Sequence, residues 1–344
     1  MSDPKIKNMD EFAAVVGISR PTLSKYFQNP DKVRISTRER IEAGLKKFDY
    51  RPNVYAINQN RQMTRNVGII VPFLADPFFS EIARRIERRV IEAGYQPLLM
   101  NSHGDPETEL ENLKTLRTIK PAGTLIAPLG RVSKRDAIEE YCEDVATVVF
   151  DSNLNIESRC FIGSDNVQFV RETVEYLSRT GEAPCFYEMR TPANPNAQKR
   201  RQAYIDTMEQ MGQEPQIIQV VGEGWDFEEI SYREGLNLLD QRAIPSSTVL
   251  CSNDRLAIGL LSACYEKGYR VGRGNQCAFR VAGMDDHPFS RYTCPSLTTM
   301  AHDYDGVSTR SVDALLALLS DPDSPDHVRQ ETLCQGKLIM RSSA

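Results

Sequence analysis

The spacing of apolar side chains changes character twice along the chain. Near the start, Met9, Phe12, Ala13 and Val16 fall at i, i+3, i+4 and i+7, one face of a helix. Asn8 followed by Glu11 is a capping-box pair ahead of it. Gly17 then supplies a tight turn. Ser19 is placed to cap a second helix whose first turn accepts Pro21. Leu23, Tyr26 and Phe27 form that helix's apolar stripe, while Arg20, Pro21, Ser24, Lys25 and Gln28 project to the other side. Ser36 and Glu39 predict another capping box, and Ile41, Leu45 and Phe48 the buried stripe of a third helix. Over residues 51–66 the pattern lapses into a stretch rich in Asn and Gln, poor helix formers. It reads as a linker that becomes helical only on binding.

From residue 67 strand and helix patterns alternate. Apolar β-rich runs occur at 67–73, 97–100, 124–127, 146–150, 184–187, 217–221, 248–251 and 279–282, with amphipathic stretches such as 80–93 and 165–177 between them. That alternation predicts an α/β fold of parallel sheets covered by helices. About 280 residues exceed one compact sheet, so two similar lobes are expected. A ligand is expected at the carboxyl ends of the strands, in the crevice between the lobes.

Composition adds little until it is divided. The 344 residues carry a net charge of −5, which argues against a chain that is basic throughout. Residues 1–62 hold six Lys and six Arg against four Asp and three Glu, a net of +5, and the remainder holds −10. A basic module is therefore attached to an acidic body. The longest apolar run, Val67 to Ala75, is nine residues, and a membrane span needs about twenty. The first residues lack the apolar stretch of a signal peptide, so a cytoplasmic protein is expected. No two of the eight cysteines lie within ten residues of each other, which removes zinc-finger and redox spacings and leaves free, mostly buried thiols.

Three short helices with a tight turn between the first two match a helix-turn-helix. The outward set of the second helix would then read base edges in a major groove. On spacing alone, an ordinary three-helix cap with a solvated basic face fits as well. In the body, several strand ends carry polar groups: Asp76, Asp151, Asn253 with Asp254, and Asp285. Any one of them is more often a cap or turn residue than a ligand group. Four at comparable strand ends exceed what caps require. Carboxylates, amides and an arginine beside an aromatic face suit a polyhydroxylated ligand. The sequence has no phosphate loop, no nucleophile elbow and no zinc helix, and its four histidines are scattered. No cofactor, no metal and no enzymatic activity are expected.

These residues carry a resemblance. Gly17-Ile18-Ser19-Arg20-Pro21-Thr22-Leu23-Ser24-Lys25, Ser36-Thr37-Arg38, Tyr50-Arg51-Pro52-Asn53, Asp76-Pro77-Phe78-Phe79, Cys251-Ser252-Asn253-Asp254, Val281 through Asp285, Pro295 through Thr299 and Leu338 through Ser342 follow one another in the order and spacing of one family. The chain resembles the lactose-repressor (LacI) family of transcriptional regulators nearly end to end.

The resemblance implies a helix-turn-helix domain over 1–50, a hinge over 51–65, and a periplasmic-binding-protein-like effector and dimerisation core over 66–344. The first lobe would span about 66–163 and 294–322, the second about 164–291 and 325–344. It implies a homodimer on a pseudo-palindromic operator, with a small-molecule effector, a sugar or sugar derivative, controlling operator affinity. DNA contact is implied for Ser19, Arg20, Pro21, Thr22, Ser24, Lys25, Asn53, Ala56, Ile57 and Gln59. Effector contact is implied for Asp76, Phe78, Phe79, Asp151, Arg200, Trp225, Asn253 and Asp285. The chain departs from the pattern at Gln59, where the family has a wedge-forming leucine, at Ile57, where arginine is usual, and at Asp76, where asparagine is commoner. No heptad tail follows Arg341, so a tail-built tetramer is not expected. Two alternatives stay open: a regulator answering a non-sugar metabolite, and a sugar-binding protein without DNA function.

Overall fold

The computed structural model describes residues 6, 8–28, 30–48, 50, 64–154, 156, 160–321 and 331–344. The chain divides into two compact units, the first ending at Thr64 and the second running from Arg65 to Ala344. The expected contacts Asn53, Ala56, Ile57 and Gln59, and with them most of the expected hinge, lie outside the described residues.

The first unit contains α1 (Met9–Val16), α2 (Arg20–Gln28), a 3-10 turn (Pro30–Lys32) and α3 (Ile35–Phe48). Asn8 caps α1 as its spacing predicts: its side-chain oxygen accepts from Glu11 N at 2.9 Å, and its amide nitrogen donates to Glu11 Oε1 at 3.0 Å. Gly17 ends the helix at φ 71°, a left-handed conformation that favours glycine. Arg40, from α3, donates to the carbonyls of Val16 and Gly17 at 2.9 Å each, satisfying acceptors the helix end leaves open. Ser19 meets Thr22 through its hydroxyl at 2.8 Å and accepts from Thr22 N at 3.4 Å. The expected capping box at Ser36 is not formed. Helix α3 begins at Ile35, so Ser36 sits inside its first turn, and the carbonyl of Arg34 takes the first helical N–H groups. Phe12, Leu23 and Ile41 are fully buried, with Ala13, Tyr26, Val33 and Tyr50 around them, and the rings of Phe12 and Tyr50 stack at 4.5 Å.

The second unit is built on two six-stranded sheets. The first lobe's sheet joins β1 (Asn66–Val71), β2 (Gln96–Asn101), β3 (Gly123–Ile126), β4 (Thr147–Phe150), β5 (Phe161–Ser164) and β11 (Glu331–Cys334) in the order β11-β5-β4-β3-β1-β2, every pair parallel. The second lobe's sheet joins β6 (Cys185–Met189), β7 (Ile217–Val220), β8 (Thr248–Cys251), β9 (Arg280–Asp285), β10 (Thr298–Ala301) and β12 (Lys337–Ile339) in the order β12-β10-β9-β8-β6-β7, parallel except for β12. Parallel sheets need both faces covered, which explains why strands such as β1 read as continuous apolar runs; Ile69, Ile70 and Val71 are fully buried.

Helices α4 (Pro77–Glu92), α5 (Pro106–Ile119) and α6 (Arg135–Asp144) belong to the first lobe, and α7 (Asn166–Thr180), α8 (Ala197–Gln210), α9 (Phe227–Asp240) and α10 (Asp254–Glu266) to the second. The long α11 (Tyr304–Ser320) packs on α4 and on the first-lobe strands β3, β4 and β5. The chain therefore passes between lobes between Ser164 and Asn166, between Ala301 and Tyr304, and between Cys334 and Lys337. This differs from the expected lobe limits. Strand β10 lies in the second lobe although 294–322 was assigned to the first, and β11 lies in the first although 325–344 was assigned to the second. Both strands are short, and β11 (Glu331-Thr332-Leu333-Cys334) is an edge strand without a run of buried apolar residues. No helix among the described residues is long and apolar enough to cross a membrane.

Candidate functional site

Two surfaces of this chain gather chemistry, one in each unit. In the first unit, α2 buries Leu23 and Tyr26 and leaves Arg20, Pro21 and Lys25 exposed, with Thr22 and Ser24 half-buried beside them. The period of 3.6 residues puts Arg20, Pro21, Ser24 and Lys25 on one arc of the helix. Arg20 lies 3.3 Å from Asp10, both side chains about two-thirds exposed, a pair worth little in water and free to exchange for another anion. The described members of the expected DNA-contact set thus lie together at or beside the open face of one helix.

The second surface is a cavity between the lobes of the second unit. Asp76, Phe78, Phe79, Asp151, Arg200, Trp225, Asn253 and Asp285, the whole of the expected effector set, line it. Asn194, Asn196, Phe227, Arg255, His287, His302 and Tyr304 line it as well. The cavity is small, with a free volume of about 20 Å³, room for about one or two waters. Beside it lies a wider space of about 550 Å³, sharing Asn194 and Trp225 with the cavity and bordered by Gly104 and Arg131 from the first lobe and Arg190 from the second. A ligand larger than a few atoms enters only if the lobes part.

Strand ends and helix starts position the polar groups. Asp76 caps α4, its Oδ1 accepting from Phe78 N at 3.0 Å. Its Oδ2 accepts from Arg255 Nη1 at 3.1 Å across the cleft, and Arg255 forks onto Glu228 at 2.7 and 2.6 Å. Burial raises the Asp76 carboxyl and Arg255 lowers it, with a net rise. Asn253 caps α10 through Leu256 N at 2.8 Å. Asp254 beside it faces inward, accepting from His287 N, Ser290 Oγ and Thr299 Oγ1 at 2.8, 2.6 and 2.6 Å. It braces the loop that follows Asp285, the last residue of β9. Burial, with Asp285 nearby, pushes its carboxyl up to about 7.

Arg200 on α8 is spent entirely inside the protein. Its Nε donates to Asn166 at 2.8 Å, Nη1 to the Ser252 carbonyl at 2.7 Å and Nη2 to Asp285 Oδ1 at 2.7 Å. Burial raises the Asp285 carboxyl, but Arg200 and His302 outweigh it and the net direction is down. Burial lowers His302, keeping the ring neutral. Its Nε2 lies 3.0 Å from Asp285 Oδ1 and its Nδ1 2.7 Å from Ser164 Oγ. Those atoms run in the order of a hydrolytic triad, yet Ser164 is not among the residues lining the cavity. The chain of bonds instead ties two of the lobe-crossing segments, at Ser164 and at His302, to a cavity carboxylate.

Asp151 follows β4 in a left-handed conformation, φ 63°, and Asp285 ends β9 at φ 115°. Such backbone strain in non-glycine residues is held in place by its surroundings and gathers at functional sites. Asn196 Nδ2 donates to Asp151 Oδ1 at 3.0 Å and to its carbonyl at 3.3 Å. Burial pushes the Asp151 carboxyl up to about 6, Arg200 and Lys199 pulling it down and Asp285 and Asp76 adding to the rise. The indole of Trp225 stacks on Phe73 from the other lobe at 5.0 Å and meets Phe79 edge-on at 6.0 Å.

Seven of the lining residues were not foreseen from sequence. Arg255 adjoins Asn253-Asp254 and could have been found as the next residue of the same helix start. It changes the charge balance, because the cleft holds two arginines rather than one. His302 follows the last residue of β10, a strand not recognised in sequence, and Tyr304 starts the helix after it. Asn194 and Asn196 lie in a loop without periodicity.

Residues 8–53 match the model for bacterial regulatory proteins of the lacI family, and residues 182–344 match a periplasmic binding protein-like domain. The ribose operon repressor of Escherichia coli (strain K12) is 25% identical over 322 residues, covering 91% of this chain and 93% of the relative. The HTH-type transcriptional repressor CytR of the same organism is 27% identical over 339 residues, covering 97% and 95%. Among solved structures, the lac repressor dimer bound to operator and the anti-inducer ONPF superposes with a TM-score of 0.84 at 24% identity, covering 98% of this chain and 99% of that one. The transcriptional regulator CelR–cellobiose complex superposes at 0.70 with 19% identity, covering 98% and 100%. The chain therefore carries, in this order, a DNA-binding domain of the lacI family of bacterial regulatory proteins and a periplasmic binding protein-like domain, and it is similar to repressors over nine-tenths or more of its length.

Proposed function

We propose that this chain is a cytoplasmic transcriptional repressor, not an enzyme, whose affinity for a pseudo-palindromic operator is set by a small polyhydroxylated molecule, a sugar or sugar derivative, held between the lobes. One observation carries the reading: a single chain presents an open basic face on α2 and, separately, a cavity where carboxylates, an amide, an arginine and aromatic rings from strand ends and helix starts converge. Arg20 and Lys25 would meet guanine edges or phosphates in the major groove, and Ser19, Thr22 and Ser24 the backbone. Two copies would place two recognition helices about one helical turn apart on the operator. The names of the relatives, ribose operon repressor and HTH-type transcriptional repressor CytR, support the assignment without fixing the effector.

The lobe-crossing segments suggest how binding is felt. A ligand replacing the direct contacts Asp76–Arg255 and Asp151–Asn196 would change the balance between open and closed lobes. The bonds from Asp285 through His302 to Ser164 would carry that change to the points where the chain passes between lobes. Selection of bound duplexes from a random pool by the full chain tests the DNA half. One pseudo-palindrome should emerge, with affinity falling steeply as salt rises. Arg20→Ala should relax preference at particular bases. Recovery of no preferred sequence would end the reading, and a uniform loss would assign Arg20 to phosphate.

A further inference from the structure

The hydrogen-bonding groups of the cavity do not balance. Its two arginines are already engaged: Arg255 by Asp76 and Glu228, Arg200 by Asn166, Ser252 and Asp285. Among the described residues no cationic group lies within ion-pair distance of Asp151, which is buried and receives its side-chain bond from the neutral amide of Asn196. That amide is itself half-satisfied. Two bonds from Nδ2, to the Asp151 carboxylate and carbonyl, fix its orientation, and this leaves Asn196 Oδ1 buried with no donor. Buried acceptors without donors are uncommon, and a buried carboxylate without a cation in direct contact is costly. Here both stand side by side on the wall of one cavity, with Asp151 held on strained backbone.

We propose that the cleft takes a ligand bearing a protonated amine, an amino sugar or other aminated polyol, with the ammonium group seated against the Asp151 carboxylate and Asn196 Oδ1. A hydroxyl would fill either acceptor but leave the carboxylate's charge unanswered. An ammonium has three donors and supplies a positive charge in direct contact, which Lys199 and Arg200 do not. A ligand phosphate or carboxylate is repelled from the same place. The inference rests on the reading of this cleft as the effector site.

The charged groups facing Asp151 are Asp76 at the start of α4, Lys199 and Arg200 on α8, and Asp285 at the end of β9. Burial pushes Asp151 up to about 6, so it is ionised in neutral solution and takes up a proton in mildly acid solution. Preference for an amine is therefore expected to fade below about pH 6.

Calorimetric titration and thermal shift of the full chain with three matched sets test this: glucosamine, galactosamine and mannosamine, their parent hexoses, and their N-acetyl derivatives. At least one free amine should bind about tenfold tighter, or more, than its parent and its N-acetyl form. That ratio should shrink toward unity in mildly acid buffer. Asp151→Asn should abolish it while operator binding shows the variant folded, and Asn196→Leu should reduce it. Binding of a parent hexose or N-acetyl sugar as tight as the amine would overturn the inference and leave the sugar site standing. Retention of the amine preference in Asp151→Asn would also overturn it. No binding from any set at millimolar concentration would overturn the inference and the sugar reading together.

Discussion

Replacing Asp151 with asparagine should stabilise the protein, and by an amount that depends on pH. The carboxyl is buried, and its pKa rises from 3.8 to about 6. A folded pKa above the unfolded one means that the folded chain holds more protons between those limits. Stability is therefore lost as pH rises from about 4 to about 6, and the loss is complete above that. At 1.36 kcal/mol per pH unit, the charge on Asp151 costs roughly 3 kcal/mol at pH 8 and less than about 1 kcal/mol at pH 4. The substituted amide keeps an oxygen for Asn196 Nδ2 and removes the charge. A unit of this size gains roughly 2–4 °C in Tm per kcal/mol, so Asp151→Asn should melt roughly 6–12 °C higher at pH 8 and close to the parent at pH 4. The chain's one tryptophan, Trp225, stacks across the cleft on Phe73, so its fluorescence follows this melt without a label. A variant that melts lower than the parent at pH 8, or shifts equally at both pH values, would refute the reasoning, because Asp151 would then be charge-compensated.

Other substitutions separate the two surfaces. Arg255→Met should cost about 3 kcal/mol in urea unfolding by leaving Asp76 as a buried lone charge, and adding Asp76→Asn should recover part of it; no loss in the single variant would remove the pair from the account. Gly104 has φ +73° and a Cβ there would lie 2.6 Å from Trp225 Nε1, so Gly104→Ala should hold the lobes apart at a cost of about 1–3 kcal/mol, read as a red shift of Trp225 emission. Unchanged emission would place that contact outside the closed state. Phe12→Ala empties the centre of a small three-helix core at a cost of about 3–5 kcal/mol, so operator binding should vanish while the Trp225 melt stays where it was. A coupled loss in that melt would mean the two units do not fold independently.

The parts of this architecture legible in sequence are those where one residue's requirement is local. Asn8, Gly17 and Ser19 announce their helix ends because capping and left-handed turns need few residues. Strands β1, β3 and β4 are visible because burial on both faces makes them largely apolar. Strands β10, β11 and β12 escaped notice because they are short and carry Thr, Glu and Lys, their places set by pairing with strands of the same sheet and not by their own pattern. The effector set converged because each member stands at a strand end or helix start, where topology gathers side chains. Arg255 and the asparagines near α8 were missed for a different reason. Their role is to answer or leave unanswered a neighbour's charge, and that is a property of the assembled cleft.

The claim that ligand binding in the cleft governs DNA binding is tested most directly by operator affinity. Fluorescence anisotropy of the selected operator, titrated with the full chain with and without saturating ligand, should show a change in Kd of about tenfold, within the usual range of allosteric coupling. Asp285→Ala, which removes the carboxylate joining the cavity to His302, should leave the ligand-free Kd in place and erase the response. A bound ligand that leaves the operator Kd of the parent chain unmoved would contradict the account.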